Sequence, residues 1–450
     1  MKFKYDFVSI GSGVAGINAA IYAVRNGLKT AVIDNKVYGG TCPNFGSDPK
    51  KILVGAAELY DWFSRMKQHG VVDGEVKINW PNLINYKNCY SDFTSGKIET
   101  SLYNNSIDTF KGTASFFNEN TLRVEDDLIE SKYILIATGS KPSEIPIEGR
   151  ELMITSDDFL CLNSLPDKII FVGGGYISLE FAQAAVRSGV ECTIIHAGSS
   201  ILQSFEPELV GMLKNYTLES GINIILNSRV KSIKRKGSKL CVLIDNLGKE
   251  SEVFGDIVMH GAGRTPNIES LDLEKGCVEY SPRGVVVDKH LKSVSNKLVY
   301  AAGDVSDTKG AYLATTASME GRTAAFNMIN INKMTPEYEN IPTVVFTIPP
   351  LAQVGLTEQE ARNCGLEVDV RFENTSDWFT SYRVAEKYSG YKILTEKKSG
   401  RILGVHLLGR NCEDVINIFH IAIKTGMTTQ QLKNFVYTYP TASSDITFML

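Results

Sequence analysis

The sequence predicts an α/β fold with two Rossmann-like dinucleotide-binding domains followed by a C-terminal α+β domain. Two observations predict the paired domains: an apolar strand, a glycine-rich turn and a helix follow one another at 4–27 and again at 167–189. Each is completed by a second buried strand, "KTAVIDN" or "VECTIIHA", which makes a βαβ unit. From about residue 336, alternating strands precede the amphipathic segment "CEDVINIFHIAIKTG", which indicates the α+β domain.

The composition argues against two classes of partner. The chain has 450 residues, a formal net charge of -4 and 22% charged residues, so it lacks the basic field that attracts nucleic acid or an anionic membrane surface. The N-terminus enters a strand pattern at once, and no apolar run approaches the roughly 20 residues that span a bilayer. We therefore expect a folded cytoplasmic protein that binds neither nucleic acid nor membrane.

The first glycine-rich turn has the residues that dinucleotide binding requires. Gly11, Gly13 and Gly16 form a G-x-G-x-x-G pattern between strand and helix, and Asp34 ends the next strand. Glycine permits a tight turn and a close approach of the backbone to pyrophosphate, the helix N-terminus attracts negative charge, and the acid can bond ribose hydroxyls. Strand, helix and acid in this register indicate a dinucleotide site.

The second turn carries a variant of the same pattern. It reads Gly173, Gly175 and Ser178, so serine stands where glycine or alanine is usual, and the helix is expected to pack slightly less closely. The following strand ends at His196, where an NAD site would have an acid and an NADP site an arginine. The imidazole could meet a 2′-phosphate together with the serines of "HAGSS", or be an ordinary loop histidine. The nucleotide preference therefore stays open.

The cysteines show no metal-binding pattern. None belongs to a CxxC or CxH cluster, so no metal site is expected. Seven other cysteines are scattered along the chain: Cys89, Cys161, Cys192, Cys241, Cys277, Cys364 and Cys412. Most of these seven are expected to be small buried hydrophobic residues. Cys42 is the exception, because it lies in "GGTCPNFGSDPKK" with Ser47 at a spacing where a redox enzyme would hold a second cysteine.

Seven ordered motifs together resemble one family. They are "GSGVAG", "GGTCPNFG", "ATGS", "GGGYISLE", "GAGRTPN", "AAGD" and "IPTVVFT", and they cover essentially the whole chain. The chain thus resembles the flavoproteins with two dinucleotide-binding domains, the pyridine nucleotide-disulfide oxidoreductases. Glutathione reductase, dihydrolipoamide dehydrogenase and mercuric reductase belong to that family.

The resemblance implies cofactors, domains and activity. It implies FAD at the first fingerprint, NADH or NADPH at the second, and a homodimer built by the C-terminal domain. It places a discontinuous FAD-binding domain at 1–145 and 266–335, an NAD(P)-binding domain at 146–265 and a dimerisation domain at 336–450. The implied activity is that of an FAD-dependent oxidoreductase acting on NADH or NADPH and on a small-molecule electron acceptor.

The resemblance also carries cofactor-binding residues onto this sequence. The expected set is Gly11, Ser12, Gly13, Val14, Ala15, Gly16, Asp34, Asn35, Gly40, Thr41, Cys42, Lys51, Gly112, Ala114, Ala137, Thr138, Gly139, Ser140, Gly173, Gly175, Tyr176, Ile177, Glu180, His196, Gly263, Arg264, Gly303, Asp304, Ala311, Leu313 and Ala314.

At the reaction centre the resemblance implies five residues, which are Cys42, Lys51, Tyr176, Glu180 and Tyr439. Lys51 would lie near the flavin N5, paired with Glu180, because a cation there stabilises the negative charge that develops when hydride reduces the flavin. Tyr176 would gate the nicotinamide site, and Asp304 would bond the ribityl chain.

The chain departs from the disulfide-reducing members at two places. In those members two cysteines exchange electrons with substrate and flavin, and a C-terminal HPTxxE pattern supplies acid and base. Cys42 matches the first cysteine, but Ser47 replaces the second, and a hydroxyl forms neither a disulfide nor a useful thiolate. The C-terminal segment reads "YTYPTASSD", so Tyr439 replaces the histidine and Ser444 the glutamate.

Three interpretations follow from these departures. In the first, the reduced flavin passes electrons directly to a small acceptor such as a quinone, a dye, oxygen or a metal ion. In the second, the enzyme is a glutathione reductase-like thiol/disulfide reductase, with Cys42 forming a mixed disulfide or with Ser47 an engineered replacement of a native cysteine. In the third, the protein is a flavin- and nucleotide-binding sensor without turnover. No motif names the acceptor.

Overall fold

The computed structural model describes residues 1–331 and 333–450. Its helices are α1 Val14–Arg25, α2 Thr41–Phe45, α3 Ser47–Gln68, α4 Trp80–Asn104, α5 Ser156–Phe159, α6 Tyr176–Arg187, α7 Pro207–Glu219, α8 Ala314–Asn330, α9 Glu358–Asn363, α10 Phe379–Tyr382, α11 Cys412–Lys424, α12 Thr429–Lys433 and α13 Ile446–Met449. Two short 3-10 helices lie at Arg150–Leu152 and Glu269–Leu271.

The strands are β1 Lys2–Ile10, β2 Thr30–Asp34, β3 Asp108–Lys111, β4 Ala114–Asn118, β5 Thr121–Val124, β6 Asp127–Ile136, β7 Ser140–Pro142, β8 Met153–Ile154, β9 Lys168–Val172, β10 Glu191–Ile195, β11 Ile222–Ile225, β12 Ser228–Lys236, β13 Lys239–Asn246, β14 Lys249–Gly255, β15 Ile257–His260, β16 Arg264–Pro266, β17 Tyr280–Ser281, β18 Gly284–Val286, β19 Val299–Ala301, β20 Ser306–Asp307, β21 Thr343–Val345, β22 Leu351–Gly355, β23 Val368–Asn374, β24 Gly390–Glu396 and β25 Ile402–Leu408.

The chain divides into two compact units. Unit 1 comprises 1–49, 85–144 and 263–338, and unit 2 comprises 50–84, 145–262 and 339–450. The domain boundaries expected from the sequence remain a prediction. Of the helices within residues 1–331 and 333–450, none is long and apolar enough to cross a membrane.

Unit 1 is built on a sheet whose strand order is β3-β2-β1-β6-β5-β4, with β19 also paired to β6. The β1, β2, β3, β6 and β19 pairings are parallel. The last four residues of β1 and the first four of β2 are all buried, as in strands that are covered on both faces. Helix α1 connects β1 to β2, as the first βαβ pattern predicts. The carboxyl end of β1 therefore leads directly into the first glycine-rich turn.

Unit 2 contains the second βαβ unit. Its parallel sheet has the order β11-β10-β9-β15-β8, and α6 connects β9 to β10. A three-stranded antiparallel sheet, β12-β13-β14, and a five-stranded antiparallel sheet, β21-β22-β25-β24-β23, complete the unit. Helix α11 buries Val415, Ile416 and Phe419 in a cluster with residues of the five-stranded sheet. The predicted α+β region is thus present.

The expectation that most of the other cysteines are buried is wrong. Cys192, Cys241 and Cys412 are buried, whereas Cys89, Cys161, Cys277 and Cys364 are exposed. Two of the exposed cysteines lie outside regular elements: Cys364 caps α9, and Cys277 adopts a left-handed turn conformation. Local apolar character alone does not distinguish a helix cap or a turn from a core position. No disulfide is formed among the cysteines that the structure describes.

A buried charged network ties α3 to the rest of unit 2. Asp61 accepts hydrogen bonds from Arg65, Arg187 and the hydroxyl of Tyr216 at 2.6–3.1 Å. Arg65 also lies 3.5 Å from Glu386, which is buried. Within the described ranges, Oε1 of Glu386 has no hydrogen-bond partner. Burial, opposed in part by Arg65, raises the pKa of Glu386 to about 7.

Glu386→Gln is expected to change how stability depends on pH. The folded-state pKa of Glu386 lies above its ordinary value of 4.5. The contribution of this carboxyl group to the stability of the fold is therefore fully present below the unfolded pKa, and it is lost as the pH rises through 7. The lost free energy of unfolding is up to about 3 kcal/mol. In urea unfolding, the variant should therefore gain stability relative to the native chain as the pH rises from about 5 to about 8. Glu250→Gln, at an exposed site on β14, is the control, and parallel pH profiles for the native chain and Glu386→Gln would refute the assignment.

Candidate functional site

The first glycine-rich turn is held by a network around the buried Ser12. Both the amide and the hydroxyl of Ser12 donate to Oδ2 of Asp34, at 2.8 and 2.6 Å. The same hydroxyl accepts from the amide of Gly39 at 3.0 Å. The acid at the end of β2 and the "GGTC" segment are thereby fixed beside the turn. Asn35, exposed after β2, donates to Thr113.

The turn leaves open space where the fingerprint expects pyrophosphate. A Cβ on Gly11 would lie 2.3 Å from the carbonyl oxygen of Ala137, and one on Gly16 would lie 2.1 Å from that of Gly11. A Cβ on Gly40 would lie 2.5 Å from the Cα of Gly13, whereas a Cβ on Gly13 would meet nothing within 4 Å. The backbone is therefore packed on its protein side and open on one side at Gly13, which fits the close approach of a dinucleotide.

Gly13→Val is expected to weaken FAD binding without unfolding the protein. Gly13 has a φ of -67°, which any residue adopts, so the added side chain fills the open space at the turn and excludes the pyrophosphate. We expect at least tenfold weaker FAD binding in equilibrium titrations of the apoprotein, equivalent to about 1.4 kcal/mol. Gly55→Ala is the matched control, because its Cβ also meets nothing within 4 Å but lies inside α3. Unchanged FAD affinity in Gly13→Val would contradict the site.

The other FAD residues expected from the sequence lie at strand ends of unit 1. Ser140 donates to Asp304 at 2.8 Å and accepts from Arg264 at 2.9 Å. Burial raises the pKa of Asp304, although Ser140 and the charge of Arg264 oppose the rise. The remaining members occupy strands, turns or helix starts. Gly112, Gly139 and Gly263 adopt positive φ, Ala114 and Ala137 are buried, Thr138 donates to Asn267, and Gly303 donates to Glu320. Val14 and Ala15 lie at the start of α1, Thr41 at the start of α2, and Ala311, Leu313 and Ala314 at the start of α8.

The second glycine-rich turn repeats the geometry of the first with a different acceptor. The amide of Gly174 donates to Nδ1 of His196 at 3.1 Å, as the amide of Ser12 donates to Asp34 in the first turn. Burial lowers the pKa of His196, so the imidazole is neutral and accepts this bond at neutral pH. His196 thus anchors the turn and is more than an ordinary loop histidine.

Ser178 is accommodated by Gly261, the residue that directly follows β15. Ser178 is fully buried, and a Cβ on Gly261 would lie only 2.1 Å from its Oγ. Gly173 packs the turn in the same way, since its Cβ would lie 2.3 Å from the carbonyl oxygen of Gly261. A Cβ on Gly175 would have only one neighbour, at 4.0 Å, so this turn is also open on one side.

Helix α6 presents Glu180 to two lysines of α3. Lys50 Nζ and Lys51 Nζ lie 2.8 and 3.0 Å from Oε2 of Glu180, and the amide of Phe346 donates to Oε1 at 2.9 Å. Burial would raise the pKa of Glu180, but the charges and hydrogen bonds of Lys50 and Lys51 outweigh it and lower the pKa. Glu180 is therefore a fully buried carboxylate in its charged form.

Tyr176 begins α6 directly above this cluster. Its side chain is 44% exposed, and Nζ of Lys50 lies 4.9 Å from the centroid of its ring. The ring is therefore partly exposed to solvent and also in cation–π contact with Lys50. Ile177, next on α6, is partly buried.

Cys42 lies on α2 beside an acid that the sequence patterns did not single out. Its Sγ is 3.6 Å from Oδ1 of Asp48, and the other oxygen of Asp48 accepts from the hydroxyl of Tyr90 at 2.8 Å. Ser47 is exposed at the first residue of α3. The thiol is therefore paired with the carboxylate of the residue after Ser47, and Ser47 is where the family resemblance leads one to expect a second sulfur.

The C-terminal residues that replace the family's histidine and glutamate form no acid-base pair with each other. The side chain of Tyr439 is 72% exposed. Ser444 bonds back to Thr441, donating to its carbonyl at 2.6 Å. Lys50, Asp48 and Tyr90 are thus the site residues that sequence analysis missed. For Asp48 and Lys50, the available sequence signal was the charged run "SDPKK", which is equally typical of a solvent-exposed helix start. No pattern in the sequence indicated Tyr90.

Family models match nearly the whole chain. The model described as pyridine nucleotide-disulphide oxidoreductase matches residues 5–321, and that described as the dimerisation domain of pyridine nucleotide-disulphide oxidoreductases matches residues 341–449. The match to the second model identifies the C-terminal region as the family's dimerisation domain.

Characterised relatives and a solved structure agree with these matches. Dihydrolipoyl dehydrogenase of Bacillus subtilis (strain 168) is 32% identical, with 97% of this chain and 93% of the relative covered. Mercuric reductase of Staphylococcus aureus is 30% identical, with 98% and 81% covered. The Cu(II) complex of the HOCl-induced flavoprotein disulfide reductase RclA from Escherichia coli superposes with a TM-score of 0.90 at 27% identity, covering 99% of this chain and 98% of that one.

The fold predicted from the sequence is confirmed by these likenesses, as are the FAD and nicotinamide cofactors. The chain belongs to the pyridine nucleotide-disulphide oxidoreductase family and is a flavoprotein oxidoreductase that uses FAD and acts on NADH or NADPH.

Proposed function

We propose that this enzyme passes electrons from NADH or NADPH through FAD directly to a small acceptor, without a protein dithiol. The observation that carries the proposal is Ser47, because a serine at the start of α3 cannot close a disulfide with Cys42. Tyr439 in place of the family's histidine is a second, independent departure. FAD supplies the chemistry that accepts hydride from the nicotinamide and releases electrons singly or in pairs.

The chain's own residues have defined tasks in this proposal. The open turn at Gly13 binds the FAD pyrophosphate, and Asp34 lies where the ribose hydroxyls are expected. The turn at Gly175 binds the nicotinamide nucleotide at the N-terminus of α6. Glu180 holds Lys51, whose ammonium stabilises negative charge at the reacting ring. The family's dimerisation domain supports assembly as a homodimer.

A thiophilic metal ion is the acceptor class that the site favours among the quinone, dye, oxygen and metal candidates. Cys42 and Asp48 offer a sulfur and a carboxylate 3.6 Å apart, and soft thiolate ligands select copper and similar ions. In residues 1–331 and 333–450, no group of three or more histidine, cysteine or acidic side chains could hold a resident metal. Such an ion would therefore bind as substrate: one NAD(P)H reduces two Cu(II) to Cu(I) and releases one proton.

The relatives support this choice of acceptor class. Two of the most similar proteins are named for mercuric reduction or described as a Cu(II) complex. The same relatives also support the thiol/disulfide alternative at least as well, because dihydrolipoyl dehydrogenase and a disulfide reductase are among them. In that alternative, Cys42 attacks a substrate disulfide, one thiol leaves, and the mixed disulfide takes two electrons and a proton. A sensor without turnover finds no support among relatives named as enzymes.

Steady-state oxidation of NADH and of NADPH with a panel of acceptors tests the proposal. Cu(II) and a quinone should each support turnover, and Cys42→Ala should raise the KM for Cu(II) while leaving quinone turnover unchanged. Asp92→Ala, at an exposed acid of α4, is the control. Turnover with glutathione disulfide or lipoamide that disappears in Cys42→Ala would replace the proposal with the thiol alternative.

The Ser47→Cys variant tests whether the serine replaces a native cysteine. A long-wavelength charge-transfer band together with new disulfide reductase activity would support a native dithiol. If neither appears, the interpretation that Ser47 replaces a native cysteine is wrong.

A further inference from the structure

A buried carboxylate on α8 accepts hydrogen bonds from the segment that follows β19 in unit 1. Glu320 is only 1% exposed. Its Oε2 accepts from the amide of Gly303 at 2.6 Å and from the hydroxyl of Ser306 at 3.3 Å. Its Oε1 accepts from the hydroxyls of Thr308 and Tyr338 at 2.9 and 2.7 Å. Burial raises the pKa of Glu320, and these hydrogen bonds oppose the rise. The carboxyl group thus ties the loop at 303–308 to α8.

The bond from Gly303 differs in kind from the three bonds from hydroxyl groups. A hydroxyl rotates and can either donate or accept, so it can adapt to another polar side chain. A backbone amide can only donate, and the backbone sets its direction. Gly303 has a φ of 80°, in the left-handed region that favours glycine. An acceptor at the position of Oε2 therefore stabilises this one conformation of the loop.

Gly303 directly precedes a residue that the family resemblance assigns to FAD. Asp304 is expected to bond the ribityl chain, and its Oδ2 accepts from the hydroxyl of Ser140 at 2.8 Å. Ser140 therefore holds the side chain of Asp304, while Glu320 holds the backbone of the preceding residue. The two contacts together fix both ends of the group that is expected to meet the cofactor.

Helix α8 also contacts the helix that follows the first glycine-rich turn. A Cβ on Gly321, the residue after Glu320, would lie 2.2 Å from the carbonyl oxygen of Ala15 in the first turn of α1. Farther along the two helices, the rings of Tyr22 and Phe326 lie 6.3 Å apart between centroids. The backbones of α8 and α1 thus meet directly beside Glu320, which links the loop at 303–308 to the turn that is expected to bind pyrophosphate.

We infer that Glu320 is a positioning residue for FAD, which holds the amide of Gly303 and thereby sets the place of Asp304 relative to the pyrophosphate turn. Groups that are ordered before a ligand arrives bind it more tightly than groups that must be ordered on binding. Glu320 acts through Gly303 and needs no contact with the cofactor. The inference concerns FAD binding, so it holds for any electron acceptor and does not depend on the proposed function.

The test is the dissociation constant of FAD in variants of Glu320, obtained by serial dilution of each holoenzyme with the fluorescence of released FAD as signal. Glu320→Gln can turn its carbonyl oxygen to Gly303 and its amide group to the hydroxyls, so it should keep the native affinity. Glu320→Met removes the acceptor, and Glu320→Asp withdraws it by one methylene group. Each of these two should weaken FAD binding about tenfold, because the buried amide of Gly303 loses its partner.

Tyr338→Phe is the matched control. It removes a hydrogen bond of 2.7 Å to the other oxygen of the same carboxylate and leaves the bond from Gly303 in place. We expect lower stability in urea unfolding but a native affinity for FAD. The control therefore separates positioning of the loop from a general loss of stability around Glu320.

Three outcomes would overturn the inference. The first is a native FAD affinity in Glu320→Met, or in Glu320→Asp, which decides the matter if Glu320→Met does not fold. The second is a loss of affinity in Glu320→Gln as large as in Glu320→Met, which would show that the charge matters and the bond to Gly303 does not. The third is an equal loss in Tyr338→Phe. Because neither nicotinamide nor an electron acceptor is present, each result leaves the proposed route of electron exit untouched.

Discussion

Replacing Glu180 by glutamine is expected to slow the reduction of bound FAD by NADH or NADPH about a hundredfold. The amide can still accept the bond from Phe346, but it no longer pairs with the ammonium groups of Lys50 and Lys51 at 2.8 and 3.0 Å. Lys51 then loses the anchor that directs its charge. Stopped-flow mixing under anaerobic conditions, with the bleaching of the flavin as signal, measures the effect.

The control for this experiment is Glu250→Gln, which removes an exposed carboxylate from β14 of the same unit. It should reduce FAD at the native rate. A native rate in Glu180→Gln would show that the buried carboxylate has no part in hydride transfer, and the assignment of Lys51 and Tyr176 would then lose its support.

Asp61→Ala is expected to lower the free energy of unfolding by about 3–5 kcal/mol. The carboxylate accepts from Arg65, Arg187 and Tyr216, and it is only 7% exposed. Its removal leaves two guanidinium groups without their shared counter-charge in the interior of unit 2. Urea unfolding of the holoenzyme measures the loss.

The matched control is Asp73→Ala, at an exposed acid between α3 and α4. It should change the free energy of unfolding by less than about 0.5 kcal/mol. If Asp61→Ala lowers the free energy of unfolding no more than the control does, the buried charged network orients these side chains but adds little stability.

Local patterns predicted much of the fold. The order of strand, turn and helix around Gly11 and Gly173 is encoded by residues adjacent in sequence, because apolar periodicity and glycine act over a few positions. Helix α11 was predicted for the same reason. The exposed cysteines were mispredicted because burial depends on which face of an element meets the core.

The site was predictable only where a fingerprint names its residues. The contact between Lys50 and Glu180 joins residues that are 130 positions apart, and nothing in "PKK" indicates which lysine is the more deeply buried. The bond between Tyr90 and Asp48 likewise joins two helices that each present many polar side chains. Such contacts arise from tertiary packing and have no local pattern.

The most direct measurement of electron exit is an anaerobic reductive titration of the holoenzyme, followed by addition of a quinone. Direct transfer from the flavin predicts that each FAD takes up two electrons, and that the quinone restores the flavin colour equally fast in the native chain and in Cys42→Ala. Uptake of four electrons per FAD, or loss of reoxidation in Cys42→Ala, would contradict it, because either result requires a sulfur group between the flavin and the acceptor.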